Sequence, residues 1–275
     1  MVDLQNWNPQ FIDSFPLYSS FKHLKRPIAE MQQWPALSEL NRLRAYQEQR
    51  ILTRSGKEIC FVPAVTGKQS FEQKYEAKIF LTGEVQTRTN NWHDFFNALV
   101  WLVFPRAKSA LNQLHYHIQR IEAEHHMVHR SALRDAATLF DESGIIVVCH
   151  EKDLIELLKN FQWKELFWKR RKEVLSSMRF FIFGHGLYEK ALHPYTGMTG
   201  KGVIFHVNKL FLQGAQMSQL QTLDSMLESF LSTALSSSSD LVPIPLLGYP
   251  GWVEANSDEV YYDNKRYFRD KKRPN

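Results

Sequence analysis

The chain has 275 residues, 44% hydrophobic, 13% aromatic and 23% charged; this is enough apolar side chain for a full core and far from the composition of a disordered protein. Two cysteines exclude a disulfide framework, and the longest apolar run, about a dozen residues ending at Pro105, falls short of the ~20 that a membrane helix needs. A net charge of +5 and a pI near 9.1 permit an anionic partner, either a small molecule or a nucleic acid, without pointing to one.

Residues 1–15 show no basic start followed by an apolar run, so no secretory leader is expected and the cytoplasm is the expected compartment. Cys60 and Cys149 then read as reduced and structural. Leu37, Leu40, Leu43 and Leu52, near Trp34 and Tyr46, predict one or two amphipathic helices. Residues 59–62 and 77–81 read as strands, with Gly67 and Gly83 as breaks. A helix apolar on every side opens near Asn91. Pro105 ends it and opens a second helix to about Arg134, with Ala107, Leu111, Leu114, Ile118, Ile121 and Val128 as its stripe. Residues 136–149 read as a hairpin turning at Asp141, Glu142, Ser143 and Gly144, the glycine suited to a positive φ. Residues 153–192 read as a broken helix whose apolar face holds Trp163, Phe167, Trp168 and Phe180 to Phe183, and Pro194 closes it. A glycine-rich loop at 197–202 leads to a strand at 203–207. An amphipathic helix at 220–235, a mobile connection at 236–239, a proline-stiffened loop at 243–252 and a basic aromatic tail follow.

Polar side chains interrupt the apolar helix. An unpaired buried amide or imidazole costs roughly 1–3 kcal/mol, so His93 and Asn97, one turn apart on a shared face, imply a satisfied polar site. Asn91 suits the N-cap and Asp94 its reciprocal partner. His93 and Asn97 could orient a substrate, ligate a metal or bond neighbouring backbone. On the next helix Lys108, Asn112 and His115 form a polar stripe. It is a solvated face by default, or part of a site if a reversal at Pro105 lays it beside the first helix. Glu122, His125, His126 and His129 have spacings that zinc accepts, but no HExxH motif is present and surface histidines are expected. Arg134 and Asp135 read as an ion pair, or Arg134 as an anion clamp.

His185 and Glu189 lie one helical turn apart after an apolar run, and Gly184 and Gly186 on either side of the histidine permit close backbone approach. A carboxylate beside an imidazole raises its pKa and fixes its tautomer, as a general base or metal ligand needs; a buried His–Glu bond between two helices would use the same pair. Residues 196–202 are not a phosphate loop: Tyr195 and Gly202 stand where the first glycine and the magnesium-binding hydroxyl belong. An anion nest with Thr199 and Lys201 remains open beside a plain flexible turn. In the tail Lys265, Arg266, Arg269, Lys271, Lys272 and Arg273 alternate with Tyr261, Tyr262, Tyr267 and Phe268, a composition suited to base stacking and phosphate contact.

The strings NWHDFFNALVWLVFPRAKSALNQLH, RDAATLFDESG, FGHGLYEKALHPYTGMTGKG and PIPLLGYPGW together resemble an uncharacterised bacterial family, mainly proteobacterial, known as a domain of unknown function. The resemblance spans roughly residues 75–268. It implies that Trp92, His93, Asp94, Asn97, Lys108, Asn112, His115, Arg134, Asp135, Asp141, Glu142, His185, Glu189 and Lys201 fall in signature segments that assemble into one site, and it implies no activity. The expected fold is a single α+β domain, predominantly helical, with a small hairpin or sheet and a central polar cleft. Residues 1–60 are expected to be a helical segment packed on residues 61–275. The expected function is acid–base or metal-assisted hydrolysis of an anionic substrate. His93 and His185 would move protons or bind a divalent metal, with Glu189 and Asp94 orienting them and Asn97 beside them. Lys108, Asn112, His115, Arg134, Asp135 and Lys201 would hold substrate. Two rivals stand: a non-catalytic nucleic-acid-binding protein using the basic tail, and a purely structural role for the signature residues.

Overall fold

The computed structural model describes residues 6–44, 49–126 and 129–271; Tyr46, Val128, Lys272 and Arg273 lie outside them. The N-terminal apolar side chains form short pieces: a helical turn at Phe11–Ser14, a 3-10 helix at Pro16–Leu24, another turn at Lys25–Ala29 and α1, Leu37–Leu43. Phe11, Tyr18 and Phe21 enter an aromatic layer with Trp92, Phe96 and Tyr188, and the Tyr18 hydroxyl donates to the Tyr188 carbonyl at 2.9 Å. Leu52 is not helical. It sits in an isolated bridge opposite Glu58.

Strand β1 (Cys60–Pro63) pairs in parallel with β2 (Glu84–Thr87). Parallel neighbours need a crossover, and α2 (Tyr75–Thr82) supplies it, so the strand expected at 77–81 is a helix, closed by Gly83 at φ 81°. The alternation of Ala77, Ile79 and Leu81 mimics a strand because the helix is so short.

The apolar helix is α3, Trp92–Val103, buried from Phe95 to its end. Asn91 Oδ1 accepts from the Asp94 amide at 2.9 Å, as an N-cap should. The Asp94 side chain does not complete a capping box; it accepts from the Arg88 amide, Nε and Nη2 at 2.7–2.9 Å. After Pro105 the chain reverses into α4, Pro105–Glu124, which stops ten residues short of expectation. Ser131 then caps a separate helix, α5, Ala132–Ser143.

The hairpin expected at 136–149 is absent: α5 runs straight into β3, Gly144–Cys149. Ala136, Ala137 and Phe140 are buried at helical spacing, so the apolar run before Asp141 belongs to a helix. Gly144 has φ −68° and serves packing, because a Cβ there would lie 2.4 Å from the Phe140 carbonyl oxygen. After α6 (Lys152–Lys159) and α7 (Arg171–Ser177) comes β4, Met178–Ile182, where a helical face had been expected. β4 pairs antiparallel with β3. A long-range partner overrides the local pattern there.

A short helix, α8 (His185–Lys190), leads to β5, Thr199–His206. β5 absorbs most of the glycine-rich loop. Gly200 packs on Ile145, where a Cβ would meet Cδ1 at 2.1 Å, and Lys201 is placed opposite both Gly144 and Pro243 in the ladder, so this segment is sheet and not an anion nest. Next come α9 (Gln216–Thr233) and β6 (Val242–Pro245), giving the larger sheet its order β4-β3-β5-β6. The connection at 236–239 is tied down, with Asp240 accepting from the Ser236 amide and hydroxyl and the Ser237 amide. α9 also fastens the reversal at Pro105: Asp224 accepts from the Arg106 and Ala107 amides at 3.0 and 2.9 Å, capping α4 from across the fold. The protein is thus α+β and predominantly helical. Among the described residues no helix is long and apolar enough to cross a membrane.

Candidate functional site

The sheet decides what meets. α5 ends where β3 begins, β4 ends just before α8 begins, and the antiparallel pairing of Ile145 with Ile182 sets these two junctions side by side. The amides of Phe183 and Gly184 both donate to the Gly144 carbonyl, at 3.0 and 2.9 Å. Only glycine fits on either side of His185. A Cβ on Gly184 would lie 2.4 Å from the Gly144 nitrogen, and one on Gly186 would lie 2.6 Å from Glu142 Oε2. The first residue of α8 is thereby pressed against the last turn of α5, and α3 packs across α8 to bring in His93.

His93 and His185 meet edge-to-face with their Nε2 atoms 2.9 Å apart. Glu142 Oε1 lies 3.5 Å from His185 Nε2 and 3.7 Å from His93 Nε2. Behind the pair, Glu189 Oε2 lies 2.9 Å from His93 Nδ1, and Asp141 Oδ1 lies 3.8 Å from His185 Nδ1. Glu189 therefore partners His93, not the histidine on its own helix, although both sit on α8. An ionised carboxylate only accepts, so His93 carries its proton on Nδ1 and its lone pair on Nε2.

A second layer supports the first. Lys108 is buried, with Nζ 2.6 Å from Asp141 Oδ1 and 2.9 Å from Asn97 Oδ1, and it lies over the Trp101 ring. Because an ammonium only donates, Asn97 must turn its amide nitrogen the other way, and Nδ2 donates to the Tyr75 hydroxyl at 2.6 Å. Asn112 Nδ2 donates to the Glu76 carbonyl and to Oε2, at 2.9 and 2.7 Å. The stripe on α4 that sequence offered as a solvated face is buried throughout: Lys108, Asn112 and His115 are each under 5% exposed. Such burial is tolerable because Lys108 and Asn112 are paired.

Electrostatics follow from the packing. Burial would raise the Asp141 carboxyl, but Lys108 and His185 beside it hold it well below the usual carboxylate range. Burial would likewise lower His185; Asp141 and Glu142 outweigh it and hold the imidazole up at about 9. Glu142 is lowered by its contact with His185, against the effect of burial. For Asp94, burial is overcome by Arg88 and the carboxyl is lowered.

His93, Asp94, Asn97, Asp141, Glu142 and His185 line a cleft of about 420 Å³, with Arg88, His115, Arg130 and Arg134 also on its walls. Arg134 donates to Glu122 Oε2 at 2.6 Å rather than pairing with Asp135. Asp135 is exposed, and neither it nor Lys201 lines the cleft. His125, His126 and His129 are exposed; among the described residues the one trio of ligand-type side chains with atoms within 4.8 Å of one another is His93, Glu142 and His185.

The profile of the family described as protein of unknown function (DUF3025) matches residues 59–272. The chain belongs to this family. Neither a curated protein nor a solved structure matches it. Every residue of the cleft lies within the DUF3025 match, as do the six strands found among the described residues. Spacing along the chain makes Asp141 and Glu142 turn residues, and only the resemblance placed them in the site's signature segments; Tyr75 had no role in the sequence reading. The helical spacing of Ala136, Phe140 and Ser143 was the signal that could have placed Asp141 and Glu142 on a helix end.

Proposed function

We propose that the protein is a hydrolase-like enzyme that uses the His93–His185–Glu142 cluster to activate water against an anionic substrate held in the cleft. One observation carries this reading: two imidazole Nε2 atoms and a carboxylate oxygen converge on one point in the wall of an open cleft, each backed by a further carboxylate or by the helix junction. Water bound at that point would add its oxygen to an electrophilic carbonyl or phosphoryl centre. Its proton would pass into the carboxylate–imidazole cluster and on to the departing group, whose bond to the centre breaks with its electron pair. Arg88, Arg130 and Arg134 on the walls supply positive charge for the anionic part of a substrate.

The test is a screen of the purified chain against chromogenic phosphate mono- and diesters and carboxylate-bearing esters, with His185→Ala as the blank. Turnover that the variant loses while keeping its fold supports the proposal. Equal turnover by both proteins would sink the assignment of this cleft.

A further inference from the structure

The geometry points to a divalent transition-metal site, zinc by preference, ligated by His93 Nε2, His185 Nε2 and Glu142 Oε1, with a fourth position open to the cleft. This rests on the proposed function only for the location of the site. The separations of 2.9, 3.5 and 3.7 Å define a triangle whose centre lies about 2.0 Å from each corner. Zinc bonds imidazole nitrogen at roughly 2.0–2.1 Å and carboxylate oxygen at roughly 2.0–2.2 Å. An ion about 0.6 Å off that plane would contact all three atoms at bonding distance, close to the offset of a tetrahedral centre, and would leave its fourth position free.

Proton accounting supports the same conclusion. His93 donates Nδ1–H to Glu189 and so turns an Nε2 lone pair toward His185 Nε2 and Glu142 Oε1, while His185 Nδ1 lies 3.8 Å from Asp141 with no hydrogen-bond partner. A single proton between the two nitrogens would satisfy them and leave Glu142 Oε1 too far from either for a hydrogen bond. A metal ion accounts for all three. The carboxylates behind the rings are the usual companions of metal-bound histidines, fixing ring orientation and tautomer, and Lys108 holds Asp141 in place. Two histidines and one carboxylate with an open position also suit iron(II), which the assay distinguishes.

The metal content of the full-length chain is measured first as purified; the chain is then stripped with chelator, titrated with Zn²⁺ alone, dialysed and analysed again, and Co²⁺ loading gives a visible d–d spectrum that reports tetrahedral N/O ligation. One zinc per chain is expected, with loss of stoichiometric binding in His93→Ala and His185→Ala. Glu189→Gln should weaken binding about 10–100-fold. The double variant His125→Ala/His129→Ala, at exposed positions between α4 and α5, should bind as the parent does. Should either histidine variant fail to fold, Glu142→Gln at the half-exposed ligand gives the same test, with at least a 10-fold loss expected. Less than a tenth of an equivalent of zinc in the parent, or undiminished binding in the folded ligand variants, overturns the site; stoichiometric iron in place of zinc overturns the zinc assignment. Zinc bound without hydrolysis removes the proposed function and keeps the metal, whereas His185-dependent hydrolysis by metal-free protein does the reverse.

Discussion

Replacing Lys108 by Met tests whether the buried second layer holds the site together. The ammonium is 4% exposed and sits 2.6 Å from Asp141, a contact worth about 6 kcal/mol of attraction at an effective dielectric of ~20. Methionine fills similar volume but leaves Asp141 with only His185 nearby, and leaves Asn97 Oδ1 without its donor. Breaking a buried pair by removing one partner costs about 3–5 kcal/mol, less than the raw attraction because the lysine no longer has to be desolvated. Against a total stability of about 5–15 kcal/mol that is a large fraction, and for a chain of this length it corresponds to a melting temperature lower by roughly 10 °C. Urea denaturation of Lys108→Met, Asp141→Asn and the double variant closes a thermodynamic cycle. A coupling of about 2–3 kcal/mol is expected, the double variant being less damaged than the two single losses added together. A single-variant cost under about 1 kcal/mol, or strict additivity, would refute the account of Lys108 as the ion that makes burial of Asp141 tolerable.

Four further outcomes can be checked. Gly184→Ala forces a Cβ into the backbone of Ser143 and Gly144, so a loss of about 3 kcal/mol by chemical denaturation is expected, and an unchanged midpoint would contradict the α5–α8 contact. Asp224→Ala removes the acceptor for two amides at the start of α4 and should cost about 1–2 kcal/mol, with faster amide exchange at residues 106 and 107. Burial pushes the Cys149 thiol up to about 11, so at pH 8 iodoacetamide should leave it unmodified in the folded protein and label it only after denaturation, as peptide mass mapping would show. Ending the chain at Asp258 takes Tyr262, Tyr267 and Phe268 out of the core. At about 1.5–3 kcal/mol per buried aromatic the truncated protein should melt far below the parent, and an unaltered melting curve would show the tail to be dispensable to the fold.

That last point bears on how the tail reads in sequence. Its basic residues alternating with aromatics fit a nucleic-acid-binding segment, yet Tyr267 bonds the Leu247 amide and the Met198 carbonyl, and Phe268 packs beneath Gly248. Composition shows which side chains can stack; it does not show whether the core has already taken them. The same holds for Lys108, Asn112 and His115, whose helical spacing is visible in the chain while the burial of that face depends on α2 and α5 lying over it.

The sequence by itself determined the two long helices around Pro105, the demand that His93 and Asn97 be satisfied, and the need for glycine on both sides of His185. Each follows from local chemistry: the cost of an unpaired buried group, the ring of proline, the missing Cβ. The tertiary structure alone decided that Glu189 serves His93 rather than His185, that Arg134 binds Glu122 rather than Asp135, that Asp141 and Glu142 end a helix instead of turning a hairpin, and that Lys201 is a sheet residue. The physical reason is common to all four. A short strand such as β4 takes its identity from its partner β3, and once those two pair antiparallel, the helix before one and the helix after the other are brought edge to edge. Side chains more than forty residues apart then share one cleft, and no spacing along the chain records it.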